Sequence, residues 1–374
     1  MTSWNLTESF RVWTNIYRRI RFFKRMYPMS SILRDAILFP LDYLQDDKPI
    51  SRMQNLTIAI THKCNIRCKM CYFHKELGNK HELSLDLYKQ LIDQSVHAHP
   101  CVILSGGEPF MHPNLLDMVR YAKEKGLSVQ IFTNGTLATP EKTKQLFDLG
   151  LDYINVTLLG DQNTHPQVAR STNSYNKLVA NLAFMASQRA KTMILLNYTI
   201  TPDSILQVNH SFELAQRFGL DGVRLQHYNY LLPNELKAQS NVMRNLFGID
   251  PGANEIEEAE ETRHMGEELK KLVERLRKQN RRIPIQWAPT LTNAEIDNWY
   301  SSSRFATQRK CLFPWRGVVV DANGKVYPCS KIYIELGDLR ENDLFTIWNG
   351  PTMFKFRRRL KRGLFPACAR CCKL

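Results

Sequence analysis

The feature that most constrains the fold is a regular alternation of β-type runs with amphipathic helical segments across residues 52–235. Short runs rich in apolar and β-branched residues predict six strands, at 56–61, 102–105, 128–133, 153–158, 193–201 and 222–227. Helical periodicity predicts helices between them, at 84–97, 114–125, 140–149, 174–190 and 206–218. This order favours a parallel sheet with right-handed crossovers. We therefore predict an α/β fold with a partial, TIM-like (β/α)6 barrel, whose active site lies at the carboxyl ends of the strands.

We place this barrel core at residues 51–235, and three further regions flank it. Residues 1–50 predict a basic amphipathic helical extension that is interrupted by prolines. Residues 236–305 predict a helical linker on the substrate side, and 254–282 within it predict a charged helix. Residues 306–374 combine glycines, prolines and most of the remaining cysteines with short strands, which predicts a small cysteine-rich domain.

The chain is basic, with 51 Lys and Arg against 36 Asp and Glu and a formal net charge of +15. Such an excess suits an anionic partner, but no RNA-binding module is recognisable and nucleic acid is not expected. Residues 9–27 predict a basic helix that either lies on an anionic membrane or packs against the main domain. No signal peptide and no apolar run of about 20 residues is recognisable. We therefore predict a cytoplasmic protein, with peripheral membrane contact through residues 9–27 as an option.

Three cysteines directly follow the first predicted strand. Cys64, Cys68 and Cys71 form a CxxxCxxC motif. Three thiolates on one loop can each bind a different iron of a 4Fe–4S cube and leave the fourth iron open to another ligand. A structural zinc site is the alternative, although zinc prefers paired CxxC units with a fourth ligand. In a chain without a recognisable export signal, clustered cysteines favour metal ligation over disulfides.

This motif and its neighbours resemble those of the radical S-adenosylmethionine (SAM) superfamily. Residues 105–109, Ser-Gly-Gly-Glu-Pro, follow the second strand and resemble the family's GGEP motif, which contacts the SAM amino group. Residues 133–135, Thr-Asn-Gly, follow the third strand and are similar to the family's TNG segment. The resemblance implies that the cluster on the three cysteines binds SAM and cleaves it reductively. In most relatives this gives methionine and a 5′-deoxyadenosyl radical.

The resemblance also implies the residues that bind the cofactor. Thr157 falls at the position near the ribose, Arg170 at that of a ligand to the methionine carboxylate, and Leu225 on the strand that lines the adenine pocket. His165 and Arg170 together resemble an HDxxR-like run. The full predicted set is Tyr72, Gly106, Gly107, Glu108, Pro109, Asn134, Thr157, Arg170 and Leu225.

A second group of cysteines lies near the carboxyl terminus. Cys311 and Cys329 are followed by a CxxC unit formed by Cys368 and Cys371. Spacing alone suits zinc and an Fe–S centre equally. The pattern resembles the twitch extension, a short form of the SPASM domain, which implies one fully ligated auxiliary 4Fe–4S cluster with a role in electron transfer. Cys372 is either a spare or substitute ligand, or half of a vicinal pair suited to a soft metal or metalloid.

These features together predict an oxidoreductase or transferase that modifies a small natural-product-like or lipid-like molecule by radical chemistry. A flavodoxin- or ferredoxin-type protein is the expected electron donor. Three alternatives stay open: transfer of the 3-amino-3-carboxypropyl group of SAM to a soft acceptor such as trivalent arsenic, maturation of ribosomal peptides, and RNA modification. Candidate substrate-pocket residues are His227, Tyr228, Tyr230, Trp287 and Trp299.

Overall fold

The computed structural model describes residues 38, 41–44, 52–71, 73, 77, 79, 81–249, 262, 265–278, 283–300 and 305–374. The predicted helix at 9–27, the predicted cofactor residue Tyr72 and the first part of the predicted helix 254–282 lie outside these residues. Among the helices that are described, none has the length and apolar character needed to cross a bilayer.

Ten strands form one sheet in the order β10-β9-β8-β1-β2-β3-β4-β5-β6-β7. The six predicted strands are present as β1 (Asn55–Thr61), β2 (Cys101–Gly106), β3 (Ser128–Thr133), β4 (Tyr153–Leu158), β5 (Met193–Thr199) and β6 (Gly222–Gln226). The remaining strands are β7 (Ile285–Ala288), β8 (Gly317–Val320), β9 (Lys325–Tyr327) and β10 (Gly337–Asp338). Strands β8 and β1 to β7 are parallel, and β9 and β10 are antiparallel additions. The α/β fold with a partial, TIM-like barrel is thereby confirmed.

The five predicted helices are also present, with ends within two residues of those predicted. The described helices are α1 (Leu85–Ser95), α2 (Leu115–Glu124), α3 (Pro140–Asp148), α4 (Thr164–Ala169), α5 (Ser174–Gln188), α6 (Val208–Arg217), α7 (Pro233–Phe247), α8 (Met265–Lys278), α9 (Asn293–Tyr300), α10 (Leu344–Trp348) and α11 (Pro351–Lys361). Local signals fix their starts: the Ser84 side chain accepts a hydrogen bond from the Leu87 backbone N–H, and Thr139 accepts one from that of Lys142.

Strand β6 shows how the sheet separates its two faces. Val223 and Leu225 are fully buried in the main apolar core, and helix α6 packs against this strand. Arg224 and Gln226 line a cavity on the inner side of the sheet. Because successive side chains of a strand point to opposite faces, the apolar pair stabilises the helical layer while the polar pair faces the lumen.

The cysteine-rich region extends the same sheet, so it does not form a sheet of its own. Strand β8 pairs in parallel with β1, with Asn55 opposite Gly317 and Ile58 opposite Val320. A Cβ atom at Gly317 would lie 2.3 Å from the Asn55 carbonyl oxygen, so a side chain at this position would push the two strands apart. The predicted division of the chain at residues 305 and 306 therefore falls within one continuous sheet.

The last residues of the chain pack against helices that follow the opposite edge of the sheet. The Ala367 backbone N–H donates to Gln239 Oε1 of α7 at 3.1 Å. Arg370 Nε donates to the Trp299 carbonyl of α9 at 2.7 Å, and its Nη1 lies 2.8 and 2.6 Å from the two carboxylate oxygens of Glu235. This tail, residues 365–374, therefore links the β8–β10 side of the sheet to the elements that follow β6 and β7.

Candidate active site

The loop that holds Cys64, Cys68 and Cys71 is fixed against the turn after β2. The Gly107 N–H donates to the Thr61 carbonyl at 2.7 Å, and the Glu108 N–H donates to the Lys63 carbonyl at 2.8 Å. A Cβ atom at Gly107 would lie only 2.1 Å from that Lys63 oxygen. Gly106 has φ +117 and a Cβ there would lie 2.5 Å from the Thr61 oxygen. The two glycines therefore permit close contact with the protein's own cysteine loop.

Glu108 is a buried carboxylate at the carboxyl end of β2. Its Oε1 accepts from the Thr133 hydroxyl at 2.6 Å and from the Phe110 N–H at 3.1 Å, and its Oε2 accepts from the Asn134 N–H at 2.8 Å. Burial raises the pKa of Glu108 to about 7, although these three hydrogen bonds lower it. Two carboxylate oxygens offer about four acceptor positions, so the group retains room for one more donor from a ligand.

The Thr-Asn-Gly segment is bonded to the cysteine loop as well as to Glu108. Asn134 Nδ2 donates to Asn65 Oδ1 at 3.0 Å, and Asn65 Nδ2 donates to the Thr136 hydroxyl at 2.8 Å. Asn134 Oδ1 accepts from the Thr136 N–H at 2.9 Å. Three short motifs that are separated in sequence thus form one hydrogen-bonded unit at the carboxyl ends of β1, β2 and β3.

A cavity of about 520 Å³ extends along the inner face of the sheet to these strand ends. Its volume lies within the usual range for small-molecule sites. Both groups of cysteines contribute to its wall. The predicted residues that line it are Cys64, Cys68, Cys71, Gly106, Gly107, Glu108, Asn134, Thr157, Cys329, Cys371 and Cys372.

The thiols of the first group lie close enough to affect one another. Burial raises the pKa of Cys68, and the neighbouring thiolates of Cys71 and Cys64 raise it further. Burial likewise raises the pKa of Cys64, to about 11. Among the described residues, no three Cys, His, Asp or Glu side chains converge on one metal-ion position. Each iron of a 4Fe–4S cube takes its own thiolate, so the three thiols of this one loop, which all line the cavity, fit the ligand set of such a cluster.

The cysteines of the second group come from three segments of the chain. Burial raises the pKa of Cys311 to about 11, and the nearby thiols of Cys329 and Cys372 raise it further. Cys368 is buried, and Cys311 and Cys329 both raise its pKa. Cys371 and Cys372 are neighbours whose interaction raises the pKa of Cys371 and lowers that of Cys372. Five thiols therefore lie in this group, and the structure places Cys372 near Cys311.

Comparison with known proteins agrees with this geometry. Residues 58–210 match the model of the radical SAM superfamily, and residues 311–372 match that of the SPASM iron–sulfur cluster-binding domain. The chain belongs to the radical SAM superfamily. It is therefore an enzyme, and membership implies a 4Fe–4S cluster with SAM in the first domain and auxiliary iron–sulfur ligation in the second.

Two related proteins and one solved structure can be compared with this radical SAM enzyme. It is 29% identical over 202 residues to Fe-coproporphyrin III synthase of Methanosarcina barkeri, a match that covers 53% of this chain and about half (49%) of that protein. It is 26% identical over 350 residues to the tungsten-containing aldehyde ferredoxin oxidoreductase cofactor-modifying protein of Pyrococcus furiosus, covering 85% and 87% of the two chains. Streptococcus suis SuiB has a similar fold, with a TM-score of 0.60, 12% identity and coverage of 81% of this chain and 67% of that one.

Three predicted cofactor residues of the radical SAM domain do not reach the cavity. Arg170 is exposed and has a left-handed backbone with φ 52 at the end of α4. The Leu225 side chain is fully buried in the apolar core on the helical face of β6. Pro109 is buried behind Glu108 as the first residue of a short 3-10 helix. Contact of Arg170 and Leu225 with SAM stays a prediction. The lumen-facing neighbours of Leu225 are Arg224 and Gln226.

Sequence reasoning missed Asp321, and it named His165 without giving that residue a role in the site. Asp321, at the end of β8, lines the cavity and lies 2.7 Å from His62 Nε2 in the cysteine loop. His165 lines the cavity and is 1% exposed. Its Nδ1 accepts from the Leu159 N–H at 3.1 Å, and burial lowers its pKa to about 4, which keeps the ring neutral. Of the five candidate pocket residues, only Tyr228 lines this cavity.

Proposed function

We propose that this chain holds a 4Fe–4S cluster on Cys64, Cys68 and Cys71, cleaves SAM reductively, and modifies a small organic molecule in the same cavity. The observation that supports this most strongly is the shared cavity, which is lined by the first cysteine group, by Glu108 and by part of the second cysteine group. When reduced, the bound cluster would supply the electron that breaks a carbon–sulfur bond of SAM.

The protein's own contribution is to orient SAM and to limit water. We propose that the free acceptor position of Glu108 receives a hydrogen from the SAM amino group, because this carboxylate is buried at the cavity wall. Thr157 at the carboxyl end of β4 would face the ribose, and Asn134 would hold Glu108 in place through its backbone N–H.

We further propose that the second cysteine group holds one auxiliary 4Fe–4S cluster that transfers electrons. Cys311, Cys329 and Cys368 would be three of its ligands, and either Cys371 or Cys372 the fourth. A flavodoxin- or ferredoxin-type donor would approach the exposed basic residues of α11, because this helix packs near residues 313–315, which directly follow Cys311. The relative named Fe-coproporphyrin III synthase supports a small-molecule substrate for this architecture.

A second candidate is transfer of the 3-amino-3-carboxypropyl group of SAM to a soft acceptor. It is favoured by one observation: Cys371 and Cys372 both line the cavity, so one of them can remain a free thiol facing SAM after the other has ligated iron. The two candidates differ in which carbon–sulfur bond of SAM is broken, and hence in the product.

The test is anaerobic reconstitution, reduction with dithionite and incubation with SAM alone. We expect about eight iron and eight sulfide per chain if both cubes form, and release of 5′-deoxyadenosine. The triple variant Cys64→Ala/Cys68→Ala/Cys71→Ala is the matched control, and it should retain about four iron and release no nucleoside. Methylthioadenosine as the product would establish the second candidate. Release of neither nucleoside by the wild-type protein would refute both.

A further inference from the structure

Two lysines lie in the cavity wall with the second cysteine group. Lys331 follows Cys329 by two residues, and Lys373 directly follows Cys372. Both lysines line the cavity together with these two cysteines, and both side chains are half-buried. Two ammonium groups therefore share a wall with thiols that we propose as ligands of the auxiliary cluster.

The Lys373 ammonium is held in place by an aromatic ring. Its Nζ lies 3.3 Å from the centre of the Phe313 ring, which is a cation–π contact. Phe313 is two residues beyond Cys311 and also lines the cavity. The Leu374 N–H donates to the Cys371 carbonyl at 3.1 Å and closes the turn that carries Lys373. The ammonium of the tail thus lies against the segment that supplies another cysteine of the group.

The charges of the two lysines reach four of the five thiols in this group. The largest effect on the pKa of each thiol comes from burial or from a neighbouring thiol, and the lysine charges act in the lowering direction. The thiols affected are Cys368, Cys371 and Cys372 for Lys331, and Cys311 and Cys372 for Lys373. A cation that favours a thiolate over a thiol stabilises negative charge at that sulfur, and it would act in the same way on a cluster bound there.

The described carboxylates of the cavity are engaged elsewhere. Among the lining residues that the structure describes, they are Glu108 and Asp321. Asp321 is bonded to His62 in the first cysteine loop, and the Glu108 charge acts on thiols of the first group. The charged groups with the largest effects on the four thiols are cations and other thiols, and the third cation is Arg224, which acts on Cys372.

The thiolates and the cluster themselves are the anions that balance these cations. A cube with four thiolate ligands has a net negative charge, and reduction by one electron adds a further unit of negative charge. A nearby ammonium therefore stabilises the reduced form more than the oxidised form. Because the charge around a cluster is one of the quantities that set its reduction potential, two fixed lysines should raise that potential.

We infer that Lys331 and Lys373 are the counter-charges of the auxiliary cluster and raise its reduction potential. This inference rests on the proposed function, because it requires a 4Fe–4S cluster on the second cysteine group. It assigns the residues that control how readily this cluster accepts an electron. Both lysines act through their charge and without contact with SAM.

The test is a redox titration of the auxiliary cluster followed by electron paramagnetic resonance. The full-length variant Cys64→Ala/Cys68→Ala/Cys71→Ala is the background, since it should hold the auxiliary cluster alone. The wild-type holoenzyme is titrated in parallel, where the signal that SAM does not alter belongs to this cluster. Lys331→Gln and Lys373→Gln should each change the equilibrium constant for one-electron reduction by about tenfold, a shift of about 59 mV to more negative potential. The double variant should shift further.

The arginine variants separate charge from shape. Lys331→Arg and Lys373→Arg keep the charge and should keep the wild-type potential. The matched control is Lys144→Gln, which removes an exposed lysine of α3 that pairs with Asp148 and should leave the potential unchanged. An unchanged potential in the double Gln variant with full iron would overturn the inference, and so would an equal shift in Lys144→Gln. Equal shifts in the Gln and Arg variants would overturn it too, because the lysines would then act through their shape.

Iron analysis covers variants that do not hold the cluster. Loss of auxiliary iron in the Gln variants that the Arg variants restore would support the role as counter-charge, whereas loss in both would overturn it. Failure of the proposed SAM cleavage would appear in the wild-type protein as absence of a nucleoside product, and the titration would still report on the lysines. Zinc in place of iron at the second cysteine group would overturn this inference together with the proposed auxiliary cluster.

Discussion

Replacing Glu235 with Gln would remove the anionic partner of a guanidinium that lies entirely inside the protein. Arg370 is 0% exposed, and both carboxylate oxygens of Glu235 lie within 2.8 Å of its Nη1. The Arg370 guanidinium carbon also lies 4.4 Å from the centre of the Tyr230 ring, and Nε is bonded to the Trp299 carbonyl. These contacts hold Arg370 with φ 53, a left-handed conformation that non-glycine residues rarely adopt. The perturbation therefore acts on the short segment between Cys368 and Cys371.

The expected loss follows from the burial of the pair. Removing one partner of a buried ion pair costs about 3–5 kcal/mol, because the remaining charge is left uncompensated. Gln keeps one acceptor oxygen, so we expect Glu235→Gln to lower the free energy of unfolding by about 3 kcal/mol. The double variant Glu235→Leu/Arg370→Met removes both charges and should lose less than the single variant, since well-packed apolar replacements of buried pairs are often neutral.

The assay is urea unfolding followed by circular dichroism, together with iron analysis of the reconstituted protein. In Glu235→Gln we expect iron to fall from about eight towards about four per chain, because the last CxxC unit loses its fixed position. Glu213→Gln, at an exposed carboxylate of α6, is the matched control and should change neither quantity. Unchanged stability and iron content in Glu235→Gln would refute the view that this pair positions the tail.

Three further outcomes follow from the site. Burial raises the pKa of Glu108 to about 7, so the ionised fraction of this carboxyl grows as the pH rises through that value. We therefore expect SAM to bind more tightly at about pH 7.5 than at about pH 6. Isothermal titration of the Glu108→Gln variant with SAM should show weaker binding that does not depend on pH. If the variant kept the pH dependence of the wild type, Glu108 would not be the group that binds the SAM amino group. Gly107→Ala should lose the SAM cluster but keep the auxiliary iron, because the alanine Cβ would lie 2.1 Å from the Lys63 carbonyl oxygen and displace the cysteine loop. Full iron content in this variant would contradict the close contact between Gly107 and that loop. Cys372→Ala should lower the auxiliary iron content if Cys372 is a ligand. The control is Cys101→Ala, which removes a buried thiol of β2 and should leave the iron content unchanged. Equal iron in the two variants would assign the fourth ligand position to Cys371.

The strands and helices of the barrel could be predicted because their periodicity is local. Strand β7 was not predicted, since it is only four residues long and its place depends on pairing with β6. The burial of Leu225 on the helical face of β6 follows from a pattern that the sequence does contain. Val223, Arg224, Leu225 and Gln226 alternate in polarity, and in a barrel strand the apolar pair faces the helices while the polar pair faces the lumen.

The contacts that fix the auxiliary cysteines could not be predicted from one sequence. Arg370 and Glu235 are 135 residues apart, and His62 and Asp321 are 259 apart. Each residue is ordinary in its own local context, and only the folded chain shows that the pairs are buried. No spacing rule relates such partners, because tertiary packing decides which charges meet.

Two long-range contacts, His62 with Asp321 and Arg370 with Glu235, anchor the cysteine-rich region at different places. The contact between His62 and Asp321 joins the first cysteine loop to the end of β8, whereas that between Arg370 and Glu235 joins the tail to α7. Breaking either contact would remove a hydrogen-bond partner from a buried polar side chain, so neither end of the region can move away at low cost. These contacts therefore hold one wall of the cavity in a fixed position relative to the first cysteine loop. That wall contains Cys329, Cys371 and Cys372. A substrate bound between the two groups would therefore meet a preorganised cavity, and less of the binding free energy would be lost in ordering its walls.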